Sequence, residues 1–305
     1  MKLRTLFWAA LPLLLLGTPA LAAAAPQIAF TWDDLPAHSD LPPGVTRVDI
    51  ARDIIAAMKK AHLPPAYGFV NGIRLAEEPA SAPVLKMWRA AGLPLGNHTW
   101  SHMNYQTHTL AEYETEVERN EPLLRELMGG ADWHWFRYPY LAEGDTPESR
   151  QALRDYMAGR GYKVAAVTMS FGDYLFNGPY ARCRAKGDKA AVAKLEADYL
   201  AAAKETVGYT REMSHELYGH DIPYVLLMHV GALDARMLPR LIALYRSTGF
   251  KFITLQQAEN DPWYQAYTNL SLPGGPTGLE AALAKRNETP PARTNYGPIV
   301  QDMCR

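Results

Sequence analysis

Cysteine is scarce in this chain: Cys183 and Cys304 are the only two in 305 residues. Two cysteines cannot make the disulfide framework of a small stapled domain, and they are too few and too scattered for a thiolate metal site. What remains is one bridge or two unpaired thiols. The bridge is the expectation in an exported chain; closing a loop of 121 residues (304 − 183), it would add roughly 4–5 kcal/mol in the chain-entropy model. An excess of one charge is also missing, since 31 basic residues face 32 acidic ones. That balance supplies no basic field for nucleic acid and no strong attraction to anionic surfaces, so the expected partner is neutral or of mixed charge. Beyond the N-terminal stretch no long apolar run occurs, and there is no internal repeat or low-complexity block. These absences argue against membrane spans in the body of the chain and against a solenoid.

The N-terminal residues are patterned differently from the rest. Lys2 and Arg4 form a basic start, Leu6 to Leu16 an apolar core, and Ala20, Leu21 and Ala22 a run suited to cleavage. This is the pattern of a secretory signal peptide, assigned to residues 1–24. Pro12, Gly17 and Pro19 interrupt the uncharged stretch, and no cysteine lies near the cleavage point for lipid attachment, so no stable membrane anchor is expected. The expected location is secreted or periplasmic. About 280 residues then remain, enough for one large domain with its own core.

Apolar runs alternate with helix-like segments along that remainder. The runs are Ile28 to Trp32, Tyr67 to Val70, Leu93 to Leu95, Trp135 to Arg137, Val164 to Thr168, Tyr224 to Met228 and Phe250 to Thr254. Between them, Ile50, Ile54 and Met58 share a helical face, and Leu110, Tyr113, Val117, Leu124 and Leu127 roughly form another, opened by Thr109 and Glu112 as a capping box. Repeated β-then-α units predict an α/β fold with a parallel sheet, doubly wound or closed as a barrel. The domain is expected over residues 25–262, with a helical insertion at about 175–222. Residues 263–305, rich in Pro, Gly, Asn and Thr, read as an extended C-terminal tail.

Chemistry-bearing residues fall at the ends of five of these runs. Asp33 and Asp34 follow the first; neighbouring side chains of a strand point to opposite faces, so the two carboxylates are expected to divide roles. His98 and His102, four apart in GNHTWSH, would share one side of a helical turn, which suits two ligands of one metal ion but also arises without one. Arg137 in WFRYPY is either a surface ion pair or the fixed partner of a carboxylate. Asp173 follows another run, and His229 ends VLLMH. The C-terminal ends of parallel strands carry the active sites of α/β barrels and sheets.

Taken in order, Thr31-Trp32-Asp33-Asp34-Leu35-Pro36, His98-Thr99-Trp100-Ser101-His102, Arg137-Tyr138-Pro139-Tyr140, Asp173-Tyr174 and Leu227-Met228-His229 resemble the polysaccharide deacetylases of carbohydrate esterase family 4. The resemblance spans roughly residues 27–258 and implies a distorted (β/α)7 barrel, a single catalytic domain. It implies one divalent metal ion, zinc first and cobalt or nickel as alternatives, on Asp34, His98 and His102. It further implies Asp33 as general base, the backbone N–H of Tyr140 at the oxyanion and His229 as general acid. Asp173 would orient His229, Arg137 would orient Asp33, and Leu227 and Tyr174 would bind substrate. The implied substrate is an acetylated glycan; a small amide or ureide on the same fold and a non-catalytic carbohydrate-binding protein are the alternatives. Oligomeric state is left open.

The chain also departs from the family pattern. Leu35 stands where glycine is usual and is expected to present a different wall to the substrate; Tyr174 stands where tryptophan is usual. Val-Gly-Ala follows His229, and the insertion before it is longer than usual. His38 is expected to be a loop histidine, and His62, His108, His134, His215 and His220 to be surface or packing residues. Trp133 and Trp135 could stack on sugars or pack in the core.

Overall fold

The computed structural model describes residues 24–271 and 277–305; the expected signal peptide lies outside the described residues. Seven parallel strands form one curled sheet: β1 (Gln27–Leu35), β2 (Tyr67–Val70), β3 (Leu95–Asn97), β4 (Trp135–Phe136), β5 (Lys163–Val164), β6 (Tyr224–His229) and β7 (Lys251–Phe252). Their order is β5-β4-β3-β2-β1-β6, with β7 pairing to the start of β1. Each strand overlaps one of the seven apolar runs, β3 and β5 by a single residue, and the helices surround a half-barrel, the distorted (β/α)7 barrel of the family pattern. The sheet does not close by strand pairing between β5 and β6; a lone parallel bridge, Met169 to Leu226, spans that side.

β1 is the axis of the sheet. Ile28, Ala29, Phe30, Thr31 and Trp32 are all buried, as expected of a parallel strand covered on both faces. Its register sets Asp33 opposite His229, which brings residues 196 positions apart to the same end of the sheet. The helix Arg47–Lys60 buries Ile50, Ile54 and Met58 behind a Thr46–Asp49 capping box, and Leu110–Met128 buries Tyr113, Val117 and Leu124 behind the Thr109–Glu112 box.

Two helices, Tyr174–Ala185 and Lys189–Tyr218, fill the stretch between Asp173 and β6 and pack on the helix Ala232–Ser247. Beyond Pro262 the chain is not extended throughout. It forms the short helices Pro262–Thr268, Leu279–Lys285 and Gly297–Val300, which bury Tyr264, Leu279, Leu283 and Val300. These apolar residues are spaced too irregularly among Pro and Gly for a periodic signal. Cys183 and Cys304 are bridged, with their Cα atoms 5.1 Å apart, and Arg182 donates to the carbonyls of Gln301 and Met303, so the chain end lies against the inserted helices. Among the described residues no helix is long and apolar enough to cross a membrane.

Candidate active site

At the C-terminal ends of the strands a pocket of about 510 Å³ is lined by Asp33, Asp34, His38, His98, His102, Tyr138, Tyr140, Leu141, Ser170, Tyr174, Leu227 and His229. Asp33, Asp34, His98, His102, Tyr140, Tyr174, Leu227 and His229, named from sequence, meet there. Arg137 and Asp173 are buried behind them, each bonded to a residue that lines the pocket.

The adjacent aspartates do not follow strand alternation. Pairing between β1 and β2 slips between Trp32 and Leu35, and Asp34 adopts φ +63°, a left-handed conformation that costs an aspartate little. The irregularity brings both carboxylates to one cavity: His98 Nε2 lies 3.6 Å from Asp33 Oδ2 and 3.5 Å from Asp34 Oδ1. Leu35 therefore does not carry the backbone strain, nor does it wall the pocket. It is fully buried against Gly68, where an added Cβ would meet its side chain at 2.7 Å.

His98 and His102 sit on a loop, not on a helical turn. Thr99 and His102 both have positive φ, near +62° and +60°. Side chains hold this loop: Asn71 donates to the carbonyls of His98 and Thr99, Asn97 accepts from Thr99 N–H, and Glu116 accepts from Ser101 N–H and Oγ. Those three side chains replace the backbone bonds that a helix would have supplied.

Asp34, His98 and His102 each offer one ligand atom, and these atoms lie within 4.8 Å of one another. The donor set fits a divalent metal on three counts. Asp34 Oδ1 is buried without a hydrogen-bond partner, 3.5 Å from both His98 Nε2 and His102 Nε2. His98 donates its Nδ1–H to the Arg137 carbonyl at 2.6 Å, which leaves Nε2 as the lone-pair nitrogen. Burial, with His98 alongside, lowers the His102 pKa to about 4, so the imidazole is neutral at physiological pH as a ligand must be. Although burial opposes its charge, Asp34 is held well below the usual carboxylate range by contacts with His38 and His98.

Arg137 is wholly buried and donates Nη1 to both oxygens of Asp33, at 3.1 and 3.2 Å, Nη2 to Thr31 Oγ1, and Nε to the Ala165 carbonyl. Opposite, Asp173 accepts the His229 backbone N–H at 2.6 Å and contacts His229 Nδ1 at 3.0 Å. Burial would lower the His229 pKa, but the Asp173 charge outweighs it and raises the pKa to about 10. Tyr140 has φ +58° and is 66% exposed, with its ring 4.5 Å from that of His102. Leu227 is buried at the pocket floor, and Tyr174 is 48% exposed with its ring 5.4 Å from that of His229.

Comparison with known proteins bears on this constellation. The family model described as polysaccharide deacetylase matches residues 21–164. A curated chitin deacetylase of Colletotrichum lindemuthianum is 25% identical over 263 residues, 82% of this chain and 88% of that protein. The chain is similar to the polysaccharide deacetylase family, whose model covers 144 of its 305 residues (164 − 20). The solved chitin deacetylase of that fungal pathogen superposes with a TM-score of 0.53 at 22% identity, covering 79% of this chain and 91% of that one. A mutant of a family 4 pseudoenzyme with restored enzymatic activity gives 0.53 at 16% identity, covering 78% and 68%. At these identities the superpositions show the deacetylase fold. The deacetylase family match ends at Val164, so Asp173 and His229 enter through the geometry above.

His38, expected to be a plain loop histidine, lines the pocket instead. Its Nδ1 lies 2.8 Å from Asp34 Oδ2, its ring is 4.7 Å from that of His229, and its Nε2 is buried without a partner. Its position four residues after Asp34 was the available signal. Trp133 and Trp135 are buried core residues, and His62 and His108 are exposed.

Proposed function

We propose that this protein is an exported, metal-dependent deacetylase that hydrolyses N- or O-acetyl groups of a carbohydrate. The observation that carries the reading is that the Asp34, His98 and His102 donors lie beside an arginine-held carboxylate and across the pocket from a carboxylate-held imidazole. A two-histidine, one-carboxylate set leaves room for further ligands, which separates a reactive site from a closed structural one. The family match and the chitin deacetylase relative support carbohydrate deacetylation. The basic-then-apolar pattern of Lys2 to Leu16 supports export.

A divalent ion held by Asp34, His98 and His102 would supply Lewis acidity, acidifying water and polarising the acetyl carbonyl. Asp33 accepts the proton of the attacking water; the Arg137 fork fixes its carboxylate in direction. The oxyanion of the tetrahedral intermediate accepts the Tyr140 backbone N–H. His229, protonated at neutral pH, donates from Nε2 to the departing amine or alkoxide while Nδ1–H stays on Asp173. Leu227 provides the apolar surface for the acetyl methyl, and Tyr174 packs at the sugar side.

The test is acetate release from a panel of N- and O-acetylated glycans with zinc, cobalt or nickel added. Asp33→Asn and His98→Ala should both abolish release, and only His98→Ala should lower bound metal. Turnover surviving Asp33→Asn would remove the base assignment. Glycan binding with no acetate release under any metal would favour a binding protein instead.

A further inference from the structure

Behind the Asp173–His229 pair lies a buried acid that the reaction itself does not use. Asp234, in the first turn of the helix Ala232–Ser247, is fully buried, as are Asn177 and Tyr199 of the two inserted helices. Asn177 Nδ2 donates to Asp234 Oδ2, and Tyr199 Oη lies beside Asp234 Oδ1, both at 2.7 Å. Asn177 also reaches the backbone on either side of the pair: its Nδ2 is 3.4 Å from the Asp173 carbonyl, and its Oδ1 accepts the Leu233 N–H at 2.9 Å. We propose that Asn177, anchored by Asp234 and Tyr199, is a positioning residue for the general acid. It ties the start of the inserted helices to the turn after His229 and so fixes Asp173 against the imidazole. The inference rests on the deacetylase reading for the role of His229 and deepens it.

Two departures from the family pattern, the Val-Gly-Ala after His229 and the longer insertion before it, meet in this cluster. Gly231 stands at the N-terminal cap of the helix Ala232–Ser247 and has no side chain to offer, so the cap comes from Asn177 of another helix. A Cβ on Gly231 would lie 2.1 Å from Asn177 Oδ1; only glycine admits the amide. Tyr199, on the long inserted helix Lys189–Tyr218, is held edge-on by Phe171 and Phe176, with ring centres 4.9 and 5.5 Å away.

Charge decides how Asp234 takes part. The positive group here is the His229 imidazole, which faces Asp173 behind it and Asp33 and Asp34 across the pocket, with the His38 ring alongside. Asp173 contacts it directly, whereas Asp234 meets only the neutral Asn177 and Tyr199. Burial, with the Asp173 charge nearby, raises the Asp234 pKa well above the carboxylate range. With a proton on Oδ1, Asp234 donates to Tyr199 and accepts from Asn177, and the negative charge behind His229 stays on Asp173 alone.

Three variants test the arrangement, with zinc added throughout. Asn177→Leu removes the amide, Gly231→Ala displaces it from the other side, and Asp234→Asn keeps the shape and hydrogen-bonding pattern of a neutral acid. The substrates are a β-1,4-linked N-acetylglucosamine tetramer, whose amine must leave protonated, and an aryl acetate, whose phenolate leaves without a proton. In Asn177→Leu and Gly231→Ala the NMR titration of His229 should move down by about one pH unit or more. Their kcat on the tetramer should fall about 10- to 100-fold, with KM within about twofold of wild type and a much smaller loss on the aryl acetate. Asp234→Asn should keep the titration within about 0.3 unit and kcat within about twofold. Lower thermal stability in Asn177→Leu and Gly231→Ala with the His229 titration and kcat unmoved would overturn the proposal, because packing alone would account for the cluster. An Asp234→Asn variant whose titration falls as far as that of Asn177→Leu would overturn it too, since Asp234 would then act through charge. Shifted titrations in variants of a wild type that releases no acetate from either substrate would keep the positioning role and remove the deacetylase reading.

Discussion

Replacing Arg137 with methionine keeps the length of the side chain and removes the guanidinium. Asp33, 3% exposed, would lose both Nη1 contacts, and Thr31 Oγ1 and the Ala165 carbonyl would lose their donors. Breaking a buried pair by removing one partner costs about 3–5 kcal/mol, because the other charge stays behind without water. For a chain of this size that is a fall in melting temperature of roughly 6–20 °C. Asp33→Asn in the Arg137→Met background removes the stranded charge. The double variant should therefore be more stable than the sum of single losses by about 2 kcal/mol. Thermal and urea unfolding of the two single variants and the double variant, all in chelator, measure this term. Additivity within about 0.5 kcal/mol would refute the claim that Arg137 exists to hold a charged Asp33.

The His229 imidazole holds its proton to a pH of about 10, against about 6.5 in the unfolded chain. Its stabilising contribution is therefore complete below pH 6.5 and is lost as pH rises towards 10. Chelator-treated protein should lose stability across that window, and Asp173→Asn should flatten the loss while cutting acetate release by about 10²- to 10⁴-fold; an NMR titration of His229 unmoved by Asp173→Asn would contradict this. His38→Ala should weaken metal binding by about 10- to 100-fold in competition with a chelating dye, since Asp34 Oδ2 loses its hydrogen-bond partner. Cys183→Ser should lower unfolding free energy by about 4–5 kcal/mol, and reductant should reproduce the change in the wild type but not in the variant.

Sequence patterns located all seven strands because a parallel sheet buried on both faces leaves continuous apolar runs, of which β1 is the clearest. Strand ends were harder to read: Ala165 and Ala166 are as buried as Val164, yet β5 stops at Val164. Side-chain identity carried the site further than spacing did. The His98 to His102 spacing suggested a helical turn, whereas Asn71, Asn97 and Glu116 bend that segment into a loop from distant positions. The same applies to Asp33 and Asp34, where a slip in pairing overrides alternation. The four-residue spacing from Asp34 to His38 permits a contact without requiring one, and it is the turn after Leu35 that folds His38 back onto Asp34. The C-terminal segment lacked periodicity, and its contacts with Arg182 and Cys183 join residues about 120 positions apart.

β1 also sets which way the molecule faces. The strand starts beside Lys251, whose N–H donates to the Pro26 carbonyl, and ends eight residues later at Leu35, just past Asp33. At about 3.3 Å per residue these ends are roughly 26 Å apart. A bead, tag or surface joined ahead of Pro26 therefore attaches a full strand length behind the reacting groups. Immobilised by that end, the protein would point its open pocket outward, so a bulky insoluble polymer could reach Asp33 and His229 without meeting the support.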